Sequence, residues 1–266
     1  MFRNLKIGCY VLLSILAASI LAVTPTTGRA SAPETQAKER VVLVHGLGRT
    51  RSSMWLLSAR LEDAGYQVFR IGYHSLRDDP ETIRKDVARQ IDDCCANYAG
   101  VTHFVGHSLG GLVIRAYLDQ TKPANLGRVV LLGTPSYGTK VVDNLKEYEW
   151  FRWLGPTTLS LGTDISQYPD GAQKPDYSLG VIAGLSGPIS RLNDPILLGD
   201  DDGLVSVEST KIEGMKDFLV VQSSHAGLRY SKGVAEQVIH FLRTESFYRP
   251  ETQGNITSLT FGWKYF

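Results

Sequence analysis

The sequence predicts an α/β domain in three layers, with a mostly parallel sheet of about six strands between helices. Three observations point there. Short β-branched runs alternate with longer helical stretches from Val41 onward, the pattern of repeated strand-helix units. The first run, Val41-Val42-Leu43-Val44, is apolar throughout, as in a strand buried on both faces. Across 266 residues, 43% are hydrophobic and 21% charged, enough apolar surface for a real core and too much for disorder.

The elements follow in order. After Val41–Val44, Met54 to Ala64 reads as a helix stopped by Gly65. Val68 to Ile71 is the second strand. Asp79-Pro80 then supplies an N-cap and a first-turn proline for a helix with Ile83, Val87, Ile91, Cys94 or Cys95, and Tyr98 on one face. Val101 to Val105 is the third strand, Leu109 to Gln120 a helix, and Arg128 to Leu132 the fourth strand, leaving through Gly133-Thr134-Pro135. A fifth strand lies around Tyr177 to Ala183 and a sixth at Asp217 to Gln222; Val234, Val238, Phe241 and Leu242 mark the last helix. Residues 136–176 break this rhythm with Gly, Pro and aromatics, including Tyr137, Tyr148, Trp150, Phe151 and Trp153, and are read as a cap or lid insertion.

Residues 1–32 stand apart. Arg3 and Lys6 precede an apolar run from Ile7 to Val23, and Ala30-Ser31-Ala32 resembles a cleavage site, so the segment reads as a secretory signal. As a helix the run would span roughly 25 Å against a hydrocarbon core of ~30 Å. The expectation is therefore export after cleavage near Ala32, with retention of residues 7–23 as a membrane anchor the alternative. The full chain carries 28 basic and 27 acidic side chains; loss of Arg3, Lys6 and Arg29 leaves 25 against 27, a charge of −2. Near-neutrality argues against nucleic acid and for a small or uncharged substrate. Cys94 and Cys95, adjacent in the domain, read as two small side chains on a helix, and no structural disulfide is expected. Asn255-Ile256-Thr257 is a formal glycosylation sequon.

The chemistry is concentrated in His103-Phe104-Val105-Gly106-His107-Ser108-Leu109-Gly110-Gly111, a Gly-x-Ser-x-Gly between an expected strand and an expected helix. A strained strand-to-helix turn lifts the serine oxygen clear of the sheet, and the glycines make room for it. The helix start behind it favours developing negative charge. A serine needs an adjacent base. This turn resembles that of the α/β-hydrolases, on whose plan an acid and then a histidine follow the serine in the chain. Of six histidines only His225 and His240 come after Ser108. His240 falls inside the last helix, whereas His225 sits in Ser223-Ser224-His225-Ala226-Gly227, a loop at the carboxyl end of a strand. His225 is the expected base.

The acid that orients it is sought in Gly199-Asp200-Asp201-Asp202-Gly203-Leu204-Val205. Asp202 is chosen because it directly precedes the segment that would anchor it; Asp200 and Asp201 remain alternatives. The same three acids could form a solvated turn or calcium loop, but their spacing lacks the regular ligand pattern, and no metal or cofactor is expected. Oxyanion donors would be the backbone N–H groups of Leu109 and of Leu47 in His45-Gly46-Leu47-Gly48. His45 is read as bracing that loop rather than titrating.

With Val41 to Gly48, Phe104 to Gly111, Gly133-Thr134-Pro135, Asp202 to Val205 and His225 in this order, the sequence resembles the α/β-hydrolase superfamily, and within it the bacterial lipases and esterases. The resemblance implies a minimal version of that fold and a serine hydrolase with the triad Ser108, Asp202 and His225. Carboxylic-ester cleavage of lipid or short-to-medium acyl esters is the leading expectation, with Trp150, Phe151 and Trp153 as pocket or lid residues and association with a membrane or lipid interface. The alternatives are a thioesterase, an amidase, a phospholipid or GPI-type deacylase with the same triad, or a non-catalytic binding module on the same fold.

Overall fold

Among the described residues six strands form one sheet: β1 (Arg40–Val44), β2 (Gln67–Ile71), β3 (Thr102–His107), β4 (Leu126–Leu132), β5 (Leu179–Leu185) and β6 (Asp217–Gln222). Their order is β2-β1-β3-β4-β5-β6, and every neighbouring pair is parallel. The computed structural model describes residues 37–147, 155–163, 174–186 and 200–250. Parallel strands need crossovers, which helices supply. These are α1 (Trp55–Asp63), α2 (Pro80–Cys95) and α3 (Leu109–Gln120), with the short α4 (Lys140–Leu145), α5 (Pro156–Leu159) and α6 (Val207–Thr210) in the later connections, while α7 (Lys232–Thr244) follows the last strand.

Strand alternation divides the core in two. Val42, Val44, Phe104, Val129, Leu131 and Val181 point to one face and pack with Ile83, Val87 and Ile91 of α2 and with α3. Val41, Leu43, Val105, Val130, Leu132 and Ile182 point to the other and meet Met54, Leu57 and Leu61 beside Val234, Val238 and Phe241 of α7. Both sheet faces are thus covered, which is why the first run carries no polar residue. Each fully buried Val, Leu or Ile contributes about 1.5–3 kcal/mol.

Helix ends follow local chemistry. Asp79 accepts from the N–H groups of Glu81 and Thr82 at 3.0 Å, ahead of Pro80. Gly65, just past α1, has φ +101°, a conformation costly for other residues. β4 starts earlier than its apolar run suggests. Its first residues pair with Thr102 across a register shift, because Gly127 leaves space for the His103 ring, whose Nδ1 accepts from Arg128 N at 2.8 Å. β5 extends to Leu185 because Gly184 and Leu185 pair with Val221 and Gln222 of β6. Tyr98 falls beyond the end of α2, and its hydroxyl donates to the carbonyl of Lys38.

The cysteines correct an expectation. The sulfurs of Cys94 and Cys95 are bonded to each other, although no disulfide was expected from neighbours. They close the last turn of α2, where the Arg40 guanidinium donates to the Cys94 carbonyl. Residues 1–32 and the sequon at 255–257 lie outside the described residues.

Candidate active site

The strand order reverses direction at β1. The chain steps from β1 out to β2 on one side, then returns to β3 on the other. At such a switch point the loops leaving two adjacent strands diverge and open a crevice at their carboxyl ends. Here those loops carry His45-Gly46-Leu47 after β1 and Ser108 after β3.

Ser108 occupies the turn between β3 and α3 with φ 55° and ψ −127°, a conformation that costs a non-glycine residue about 1–3 kcal/mol. Its surroundings hold it there. Ser108 N donates to Leu132 O at 2.9 Å, its carbonyl accepts from Gly111 N at 2.9 Å, and Thr134 Oγ1 donates to the same carbonyl at 3.2 Å. The flanking glycines are steric necessities. A β-carbon on Gly106 would stand 2.6 Å from the Gly111 α-carbon, and one on Gly110 would stand 2.6 Å from the His45 carbonyl oxygen. Leu109 opens α3, where an N–H has no intrahelical acceptor.

His225 and Asp202 are brought together directly. Asp202 Oδ2 lies 2.7 Å from His225 Nδ1, and His225 N donates to Asp202 O at 2.8 Å. The other carboxylate oxygen, Oδ1, accepts from Leu204 N at 3.0 Å and Val205 N at 2.8 Å. Asp202 is therefore anchored by the segment after it and only 2% exposed, while its neighbour Asp201 accepts from Gly203 N at 2.7 Å. Gly133 gives the pair its space, since a β-carbon there would stand 3.0 Å from Asp202 Oδ2 and 3.2 Å from His225 Nδ1.

The His225 loop meets the Ser108 turn through His107. The two imidazoles lie 4.8 Å apart, centroid to centroid, and His107 Nε2 is 2.9 Å from the His225 carbonyl oxygen. A carbonyl only accepts, so Nε2 carries the proton. Burial, reinforced by the nearby His225, holds the His107 pKa well below the usual histidine value, and the ring is neutral. Selecting histidines by their position after Ser108 passed over this one; the signal was its place directly beside Ser108.

The loop after β1 is braced by His45. Its ring stacks on Tyr73 at 4.2 Å, its Nδ1 donates to Gly46 O at 2.9 Å, and the Tyr73 hydroxyl donates to His45 O at 2.5 Å. Burial lowers its pKa and leaves it neutral. Leu47 packs half-buried against the apolar cluster that also includes Leu109, Val142, Leu159 and Leu161. His240 lies on α7, its Nδ1 donating to Ser246 O at 2.7 Å. Trp150, Phe151 and Trp153 lie outside the described residues. Among the described residues no three potential metal ligands gather, and no helix is long and apolar enough to cross a membrane.

Comparison with known proteins bears on this arrangement. No curated protein matches the sequence. Solved structures share the fold. A mature-form lipase of Bacillus licheniformis is 19% identical over 81% of this chain and 94% of that one, with a TM-score of 0.64. Phospholipase PlaB of Legionella pneumophila is 17% identical over 79% of this chain and 59% of that one, at 0.64. A metagenomic carboxyl esterase is 17% identical over 77% and 70%, at 0.51. At these identities the likeness is one of fold, the α/β-hydrolase fold. The family model described as palmitoyl protein thioesterase matches residues 40–173, half of the chain, a span that includes β1 and the Ser108 turn and ends before Asp202 and His225. The chain belongs to the palmitoyl protein thioesterase family and is an ester or thioester hydrolase of the α/β-hydrolase fold.

Proposed function

We propose that the protein cleaves acyl esters or thioesters through an acyl-serine intermediate on Ser108, with His225 as base and Asp202 as its orienting acid. The observation that carries this reading is the 2.7 Å contact between Asp202 Oδ2 and His225 Nδ1, in a loop joined to the residue beside a strained serine. Nδ1 donates to the carboxylate, so Nε2 is the bare nitrogen that accepts the Ser108 hydroxyl proton. The serine oxygen attacks the acyl carbon, and the tetrahedral oxyanion is held by the N–H groups of Leu109 and Leu47. His225 returns the proton to the departing alcohol or thiol. Water, deprotonated by the same nitrogen, then releases the acid and regenerates the serine.

Pocket and lid belong to this proposal as well. Val142, Leu159 and Leu161, from residues 136–176, share an apolar cluster with Leu47 and Leu109, which suits an acyl chain. Trp150, Phe151 and Trp153 are assigned by this reading to the pocket or lid, and the substrate is presented at a lipid interface. Residues 1–32 direct export.

Family membership favours a thioester as the second reading, and matched substrates separate the two. Nitrophenyl esters and acyl thioesters of equal chain length, run as a length series, should both turn over. A tenfold or larger preference in kcat/KM names the natural bond. Equal rates on dissolved and aggregated long-chain substrate would remove the lid, and no turnover of any acyl substrate would remove the reading itself.

A further inference from the structure

We infer that His107 is a positioning residue that clamps the backbone of His225 and so sets the spacing between base and nucleophile. The inference rests on the reading of Ser108 as nucleophile, with His225 as base and Asp202 as acid. His225 is held at three points. Asp202 takes its side-chain Nδ1 and its backbone N–H, at 2.7 and 2.8 Å. Its carbonyl is taken by His107 Nε2–H at 2.9 Å. The first two points fix the imidazole relative to the acid loop alone. Only the third joins His225 to the serine, through a single hydrogen bond to the residue covalently attached to Ser108.

Two further features favour a functional role over packing. His107 is 2% exposed, and its Nδ1 has no hydrogen-bond partner among the described residues. Leaving a buried acceptor unsatisfied costs about 1–3 kcal/mol, a cost carried at Nδ1 where the same ring sets its Nε2–H on the His225 carbonyl. The ring also lies beneath the loop after β1: a β-carbon on Gly46 would stand 3.1 Å from His107 Nδ1 and 2.9 Å from Ser108 Cβ. One imidazole beside Ser108 thus abuts both the loop after β1 and the His225 loop. Its neutrality matters, because a cation there would oppose the imidazolium that forms on His225 during turnover.

The test compares His107→Met, which fills the space without a donor, with His107→Gln, which places an amide N–H at similar reach, both in the full-length chain. If His107 clamps the base, the Met variant loses about 10–100-fold in kcat with little change in KM, the cost of slight misplacement of a reacting group. The Gln variant recovers most of that loss. Unchanged kcat in the Met variant, or equal loss in both variants, would overturn the inference. Imidazole nitrogen NMR on the wild-type protein is independent of variant folding: it should show His107 neutral with the proton on Nε2, and a proton on Nδ1 instead would also overturn it. Ser108→Ala separates the two levels. If that variant keeps full activity, the underlying triad reading fails; if it is inactive while His107→Met is unimpaired, only the clamp fails.

Discussion

A β-carbon on Gly110 would stand 2.6 Å from the backbone carbonyl oxygen of His45, and closer still to that of Val44. The first turn of α3 therefore lies directly against the end of β1. This approach brings the serine turn and the loop after β1 to one crevice, and it tolerates no side chain.

Gly110→Ala should accordingly destabilise the fold by about 1–3 kcal/mol, because backbone rather than a mobile side chain must give way. Gly233→Ala is the control. Gly233 lies within α7 with nothing nearer than 3.8 Å to its β-carbon position. That substitution should stabilise by about 0.4–1 kcal/mol through the unfolded state. Urea unfolding midpoints measure both, and equal midpoints for the two variants would contradict the steric argument.

Ser108→Ala should lower turnover by at least about 10⁴-fold and abolish labelling by a fluorophosphonate. Persistent labelling would place the nucleophile elsewhere.

The acids can be ranked by substitution. Asp202→Asn should lose about 10⁴-fold in kcat, because the amide favours the wrong tautomer of His225 while preserving shape. Asp200→Asn, at an exposed position, should change little. The reverse order in steady-state kinetics would transfer the role to Asp200.

Stability should fall as pH drops from neutral. Burial lowers the pKa values of His45, His103 and His107 from the usual 6.5, so each ring takes up its proton at a lower pH in the folded chain than in the unfolded one. Below 6.5 the unfolded chain binds protons that the folded chain does not. Their contribution is therefore complete above that pH and is lost on acidification, by up to about 1.4 kcal/mol per pH unit for each ring. Thermal unfolding between neutral pH and pH ~5 measures the slope, and a flat or rising Tm would refute it.

The strands and long helices were legible because their signals are local. Val41–Val44 announces a strand covered on both faces, and Asp79-Pro80 announces a helix start. Errors at strand ends fell where partners lie far away in sequence, whereas the error at the cysteines fell on adjacent residues. β4 begins early because of the His103 ring, β5 ends late because of β6, and the Cys94–Cys95 bond joins residues whose spacing alone argued against it. In the site, Gly106, Ser108 and Gly110 declare themselves by spacing, since strand, turn and helix are contiguous there.

By itself the sequence determined the layered fold, the serine turn and the short set of acids and histidines that could serve it, because hydrophobic period, capping and turn chemistry act within a few residues. Which acid faces His225, and that His107 rather than His45 reaches its carbonyl, was decided only by tertiary structure. Those contacts join loops separated by 23 and 118 residues, and their geometry comes from the register of β3, β4, β5 and β6 rather than from any local pattern.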